Sequence, residues 1–261
     1  MENLDKKIED ASVEKALRYP LLGIKANLTE LRHIGEAAQD YITKLSPDII
    51  RPGRWEVIPQ ITIDFLREVY KYLGERKRTD VSEVYLDLGN IMRVAIEYAA
   101  TNGDKEGTLN PKIIAGSDMT LDTTEYDDDI TFEQAEMLKA DDCEMLPAMF
   151  FDNRKVIKEI CTSLKPSLYT NYGIRISDKS WAIIPCSFVA FFRCAKEWLI
   201  NHKDDGPCGV DINVGNVVSV GIQKEGLEGE EPEYFLYITP GQVFKHNFAK
   251  GDEKTELKEE E

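Results

Sequence analysis

Few features of the sequence point to a chemical site. Three histidines occur, His33, His202 and His246, and none belongs to an HExxH, HxH or Cys/His pattern that ligates zinc. The sequence also lacks the GxSxG motif of serine hydrolases and the GxxxxGK[ST] motif of phosphate loops. It has no GxGxxG after a predicted strand, the motif of dinucleotide-binding folds. We therefore predict no catalytic, cofactor-binding or metal-binding residue, and a protein that is not an enzyme.

The sequence also lacks paired cysteines. Its cysteines are odd in number, and no two are spaced as CxxC. In a chain of 261 residues this pattern indicates reduced, buried thiols of a cytoplasmic protein. Cys194, beside Arg193 on an apolar helix face, is expected to be a packed thiol and not a nucleophile. The five cysteines are Cys143, Cys161, Cys186, Cys194 and Cys208.

Long apolar runs are missing as well. No run approaches the ~20 residues that a membrane-spanning helix requires. The first ten residues, MENLDKKIED, do not have the pattern of a signal peptide. We therefore expect no membrane partner and a cytoplasmic location.

Positive charge is scarce. The chain has 32 Lys and Arg residues against 48 Asp and Glu residues, a formal net charge of −16. Because phosphate contacts need a basic surface, this balance disfavours nucleic acid as a partner. Residues 118–142 hold ten acids and one lysine, and the tail at 249–261 is also acidic. Within that stretch, Thr131 with Gln134 fits a capping box and predicts the start of a helix.

One pattern that is present is an internal repeat. Residues 55–96 align with residues 181–222 without a gap, and twelve of the 42 positions are identical. We interpret this as a tandem duplication. The predicted organisation is a first repeat unit at 1–120, an acidic linker at 121–140, a second repeat unit at 141–248 and an acidic tail at 249–261. The identical pairs are Trp55/Trp181, Ile58/Ile184, Pro59/Pro185, Phe65/Phe191, Arg67/Arg193, Leu73/Leu199, Lys77/Lys203, Val84/Val210, Gly89/Gly215, Asn90/Asn216, Val94/Val220 and Ile96/Ile222.

Apolar spacing predicts two helices in each unit. The first helices are expected at about 28–45 and 152–164, with Asn27 and Glu30 as a capping pair. Pro59 and Pro185 suit the first turn of the second helices, where a missing N–H costs nothing. Trp55 and Trp181 are expected to pack in the core beside these helices.

After the second helix the apolar period changes from helical to two, which predicts strands. A Gly-Asn turn at 89–90 and 215–216 joins two strands through a three-residue loop, so that their apolar rows share one face. Third strands are expected at 112–115 and 234–239, and shorter strands beside the tryptophans. The predicted fold class is α+β, with two tandem copies of an α-ββ-α-βββ unit and helices packed on antiparallel sheets.

The two units differ in charge at one place. The second helix of the first unit ends in KYLGERKRTD, whereas its counterpart ends in EWLINHKDD. Basic residues complement the C-terminal end of any helix, which is one interpretation. The other is a partner-contact site for an acidic surface, formed by Lys71, Arg76, Lys77 and Arg78.

These patterns favour a non-enzymatic structural, assembly or interaction protein that self-associates. A component of a viral or phage particle would suit such a module. The alternative is a DNA-associated accessory factor, clamp-like or single-strand-binding, with an acidic tail. An enzyme without a recognisable motif is the third possibility.

Overall fold

The computed structural model describes residues 27–45, 49–76, 83–99, 108–121, 137–140, 143–147, 150, 153–226 and 231–241. Within these residues the fold is mixed α+β, with four α-helices and three antiparallel sheets. The helices are α1 (Leu28–Leu45), α2 (Val57–Glu75), α3 (Arg154–Tyr172) and α4 (Ile183–Asn201). The strands are β1 (Glu83–Leu88), β2 (Met92–Ala99), β3 (Thr108–Ala115), β4 (Met137–Ala140), β5 (Cys143–Pro147), β6 (Gly209–Val214), β7 (Val218–Glu225) and β8 (Glu233–Pro240).

Two of the sheets are three-stranded meanders, ordered β1-β2-β3 and β6-β7-β8, and the third is the hairpin β4-β5. Strands β3 and β8 lie side by side, so the two meanders are neighbours. The inward rows of the meanders are apolar and buried, and α2 and α4 pack on them. The core therefore lies between one layer of helices and the two meanders.

The predicted second helices are confirmed. Pro59 and Pro185 are the third residues of α2 and α4, within the first turn, where the backbone N–H has no helical partner. The predicted end of α3 near residue 164 is wrong. This helix continues through Pro166 to Tyr172 and stops at Gly173, whose φ of 71° is the left-handed conformation common after helices.

The turns of the meanders confirm the predicted three-residue loops. Leu88 pairs with Met92 and Val214 with Val218, which leaves three residues between the strands in each case. Gly89 and Gly215 have φ of 63° and 57°, a conformation that is strained for residues with a side chain. The apolar rows of both hairpins consequently face the helices.

The predicted strand pair between the two helices of each unit is wrong for the residues described. Residues 49–56 and 173–182 form turns and irregular backbone. In the first of these segments, Pro52 removes a backbone donor and Gly53 has a φ of 78°, and both favour a turn over a ladder. A hairpin, β4-β5, occurs instead ahead of α3.

The acidic linker lies mostly outside the described residues. The helix predicted to start at Thr131 would begin at residues 131–136, which also lie outside the described residues. From Met137 onward the chain is strand β4, so no helix extends into this region.

The corresponding helices and the first two strands of each meander begin 126 residues apart, whereas the third strands, β3 and β8, begin 125 residues apart. Helices α2 and α4 begin at Val57 and Ile183 and end at Glu75 and Asn201. Strands β1 and β6, and strands β2 and β7, keep the same separation at both ends. The first helices also begin 126 residues apart, at Leu28 and Arg154.

The two halves exchange their first helices. Helix α1 packs chiefly against α4 of the second half, and α3 packs against α2 of the first. Helices α2 and α4 cross at the centre, where the rings of Phe65 and Phe188 meet edge-to-face with centroids 5.2 Å apart. The buried apolar residues of both halves consequently form one continuous core.

Two asparagine contacts repeat this exchange at the surface. The Asn27 side chain, predicted to cap α1, accepts a hydrogen bond through Oδ1 from the backbone N–H of Asn213 at 2.9 Å. Asn153 donates through Nδ2 to the backbone carbonyl of Asp87 at 3.1 Å. Asn153 lies 126 residues after Asn27, and Asn213 lies 126 residues after Asp87. Each half therefore contacts the other through the same pair of positions.

Replacing Trp181 with Ala should lower the free energy of unfolding by about 3–5 kcal/mol, because a fully buried indole leaves a large cavity. Trp55, which is 9% exposed, should follow in the same direction with a smaller loss. Urea unfolding followed by circular dichroism measures both. A loss below about 1 kcal/mol for Trp181 would show that the side chain does not support the core.

Candidate interaction surface

The predicted partner-contact residues begin at the C-terminal end of α2. Lys71 pairs with Glu68 one turn earlier, Nζ to Oε1 3.0 Å. Arg76 stacks on the ring of Tyr72 at 3.9 Å and reaches Glu159 of α3 at 3.5 Å. The remaining two, Lys77 and Arg78, lie outside the described residues. Arg76 therefore has an acidic neighbour in the second half of its own chain, which the sequence did not reveal.

Cations continue from this point along α3 and the loop after it. Residues 153–180 hold six Lys and Arg residues and two acids, although the whole chain has a net charge of −16. On α3 the adjacent Arg154 and Lys155 are followed by Lys158 and Lys165, three and seven positions further on, so the cations form no compact sequence motif. Counting the charged residues of each segment separately would have found them in the sequence. We call the basic surface the set Lys71, Arg76, Arg154, Lys155, Lys158, Lys165, Arg175 and Lys179.

Charge is divided unevenly between the described fold and the rest of the chain. The described residues contain 20 basic and 21 acidic residues, a net charge of −1, whereas the whole chain has 32 and 48. The remaining segments therefore carry −15. Residues 122–136 alone hold seven acids and no base.

A groove of about 430 Å³ lies at the C-terminal end of α3, beside the basic surface. Tyr169, half exposed, forms one wall. Arg175 donates from Nη2 to the Tyr169 hydroxyl at 3.1 Å and lies 5.1 Å from the ring centre. The groove thus combines an aromatic face with cationic nitrogens. Its lining residues are Lys165, Pro166, Tyr169, Ile174, Arg175 and Ile176.

One carboxylate already occupies the rim of this groove. Asp178 accepts a hydrogen bond from Lys165 Nζ at 2.9 Å, while its side chain stays 98% exposed. The hydrogen bond and charge of Lys165, with a further contribution from Lys158, lower the pKa of Asp178. The rim therefore favours an ionised carboxylate.

A polar cluster joins α2 to α3 nearby. The Tyr172 hydroxyl donates to Asp64 Oδ2 at 2.8 Å and lies 3.2 Å from Gln60 Oε1. Burial raises the pKa of Asp64, and the hydrogen bond from Tyr172 and the charge of Arg67 oppose that rise. At the matching contact between α1 and α4, positions 60 and 64 correspond to Cys186 and Ala190, so this cluster belongs to one interface only.

The thiols follow the prediction in part. Cys161, Cys186 and Cys194 are buried and form no disulfide, and burial raises the pKa of Cys194 to about 12, which leaves it protonated at neutral pH. Cys208 is exposed, contrary to the expectation of buried thiols, because it lies in the turn between α4 and β6. The side chain of Cys143 is outside the described part of the chain.

Among the described residues, no group of three or more His, Cys, Asp or Glu side chains is placed to hold a metal ion. No helix of the described ranges combines the length and the apolar character needed to cross a membrane.

Comparison with known proteins gives no relative. No protein-family model matches the chain, and no curated protein or solved structure is significantly similar to it. What the protein does must therefore be argued from its own residues.

Replacing Asp64 with Asn should show how much this partly buried carboxylate lowers the free energy of unfolding. A raised pKa means that the folded state favours the protonated form, so the stability from Asp64 is present at low pH and is lost as pH rises through the folded pKa. Asn keeps an oxygen acceptor for Tyr172 without the charge. The difference in unfolding free energy, variant minus wild type, should therefore be more positive at pH 7 than at pH 4.

Urea unfolding at several pH values gives this difference. A difference that does not change with pH would mean that the folded and unfolded states bind the Asp64 proton equally. Arg67→Gln is the matched control. It removes the positive charge that opposes the rise in the pKa of Asp64, so unfolding free energy should fall more steeply between pH 4 and pH 7 than in the wild type.

Proposed function

We propose that this protein is a non-enzymatic assembly protein that associates with copies of itself through complementary charge. The observation that carries this proposal is the division of charge: a basic surface on a nearly neutral fold, and a −15 excess in the other segments. Opposite patches on one chain favour contacts between copies, since each copy presents both partners. Surface charges contribute little singly, so apolar contacts are expected to accompany them.

We also propose that the chain arose by tandem duplication of an α-α-βββ unit. The gapless alignment of 55–96 with 181–222 supports this, as do element bounds that recur 126 residues apart. The reciprocal contacts of Asn27 and Asn153 have the form of a two-fold interface, in which the same positions meet from both sides. A self-complementary ancestor would produce such an arrangement after its two copies were joined.

One observation favours the second candidate, a nucleic-acid-associated accessory factor. Basic side chains beside an exposed aromatic ring, as Arg175 and Tyr169 form here, also suit a nucleic-acid strand. The net charge of the chain opposes it, because the acidic segments compete with phosphates for the same cations. We therefore place it second.

Replacing Arg76, Lys77 and Arg78 with Glu should lower the assembled fraction and leave the fold intact, because these side chains are taken to contact an acidic surface of another copy. Analytical ultracentrifugation across a concentration series, at low and high salt, measures the fraction. Association of the wild type should weaken as salt rises, since the Debye length falls from ~10 Å at 0.1 M to ~3 Å at 1 M.

The control reverses three cations elsewhere, Lys44, Lys112 and Lys203, and so keeps the same change in net charge. It should assemble like the wild type. If the wild type sediments as a monomer at high concentration and low salt, self-assembly is wrong. Salt-sensitive binding of a labelled single-stranded oligonucleotide by such a monomer would then favour the second candidate.

A further inference from the structure

We propose that the groove at the C-terminal end of α3 is the docking site for the acidic segment 122–136 of a second copy of this chain. This inference rests on the proposed self-assembly and assigns its two contact surfaces. The acceptor is the groove with its cationic rim, and the donor is a stretch of the chain that holds seven acids and no base.

The chemistry of the groove matches the composition of the segment. Lys165 and Arg175 bring positive charge to the rim, and Pro166, Ile174 and Ile176 give the lining its apolar part. The segment DTTEYDDDITFEQAE intersperses its acids with Tyr126, Ile130 and Phe132. A purely electrostatic ligand would need no such residues. The mixture lets carboxylates meet the cations while an apolar side chain fills the groove, and the exposed ring of Tyr169 offers an aromatic contact.

Asp178 shows how a carboxylate binds at this rim. It is held by Lys165 at 2.9 Å and remains almost wholly exposed, so it contributes little else to the fold. A carboxylate of the segment can take the same position opposite Lys165 and Lys158. The pair with Asp178 thus shows that Lys165 can hold a carboxylate that stays in contact with solvent.

The reach of the segment favours a second copy over its own chain. The backbone N–H of Asp118 bonds to Asn90, and the neighbouring Asp87 accepts from Asn153, so the chain leaves β3 near the start of α3. The groove lies at the other end of that helix, roughly 24 Å away at 1.5 Å per residue. The middle of the segment is about eight residues from either end, and eight fully extended residues span at most ~28 Å. The first half of a segment that leaves β3 here would have to run almost straight to bring its three consecutive aspartates, 127–129, to the groove of its own chain, whereas a segment from another copy has no such limit.

Donor and acceptor are different surfaces, which determines the kind of assembly. Each copy offers one groove and one acidic segment, so contacts run head-to-tail. Such contacts close into a ring or extend as a filament, according to the rotation between successive copies.

Two variants separate the two surfaces. The groove variant carries Lys158→Glu and Arg175→Glu, and the segment variant carries Asp127→Asn, Asp128→Asn and Asp129→Asn. Each should self-associate at least about tenfold more weakly than the wild type, since several charge contacts of the exposed kind are lost together. The control, Lys44→Glu with Lys112→Glu, has the same change in net charge as the groove variant and should associate normally. Circular dichroism and thermal unfolding confirm that each variant is folded.

Mixing the two variants is the decisive measurement. The segment variant keeps an intact groove, and the groove variant keeps an intact segment, so one head-to-tail contact can form and no further copy can add. Sedimentation of the mixture should show a one-to-one dimer, with no larger species. A labelled peptide of residues 120–135 should also bind the wild type and the control, and should bind the groove variant at least about tenfold more weakly.

The outcomes separate this inference from the proposed function. If the wild type assembles, and the groove and segment variants assemble equally well, self-assembly stands and the groove is not its site. If the mixture yields no dimer although the wild type assembles, the donor and acceptor are wrongly assigned. A wild type that is monomeric under all conditions overturns both proposals. If the wild type binds a labelled oligonucleotide but not the peptide, and the groove variant loses that binding, the groove is a nucleic-acid site.

Discussion

The crossing of α2 and α4 is the contact on which the rest of the structure depends. These two helices bury about two thirds of their residues, and the rings of Phe65 and Phe188 meet between them. Because α2 and α4 also cover the two meanders, their contact joins both sheets into one core. The first helices then close the sides, each on the half to which it does not belong by sequence.

The sequence predicted local features well and long-range ones poorly. The starts of α2 and α4 were predictable because Pro59 and Pro185 suit a first turn, and the loops at Gly89 and Gly215 because a period of two constrains the register. The end of α3 was not, because its Pro166 is tolerated inside the helix. The exchange of α1 and α3 could not be read at all. An amphipathic helix shows which face is buried but not which neighbour buries it.

The candidate surface was found only in part for the same reason. Arg76 lies in a run of cations that is obvious in the sequence, yet its contact with Glu159 spans 83 residues. Apart from the adjacent Arg154 and Lys155, the cations of α3 are separated by other residues in the sequence and come together as one surface only on a helix. Arg193 and Lys196 of α4, which bind Asp118 and the carbonyls of 118 and 120, likewise connect the halves through residues that no motif marks. Charge counted over the described residues is more informative here than charge counted over the whole chain.

The exchange of the first helices also determines when the protein can fold during synthesis. Helix α1 is made early, but its main partner, α4, is not complete until Asn201 has been added. Until then the apolar face of α1, with Leu31, Ile34, Ala38 and Ile42, has only part of its burial available. Contacts between distant parts of a chain form slowly, and apolar faces that wait for them are open to aggregation. The ribosome must therefore deliver the chain as far as Asn201, about three quarters of its length, before α1 reaches its final place, which makes the N-terminal half the part most in need of protection as it emerges.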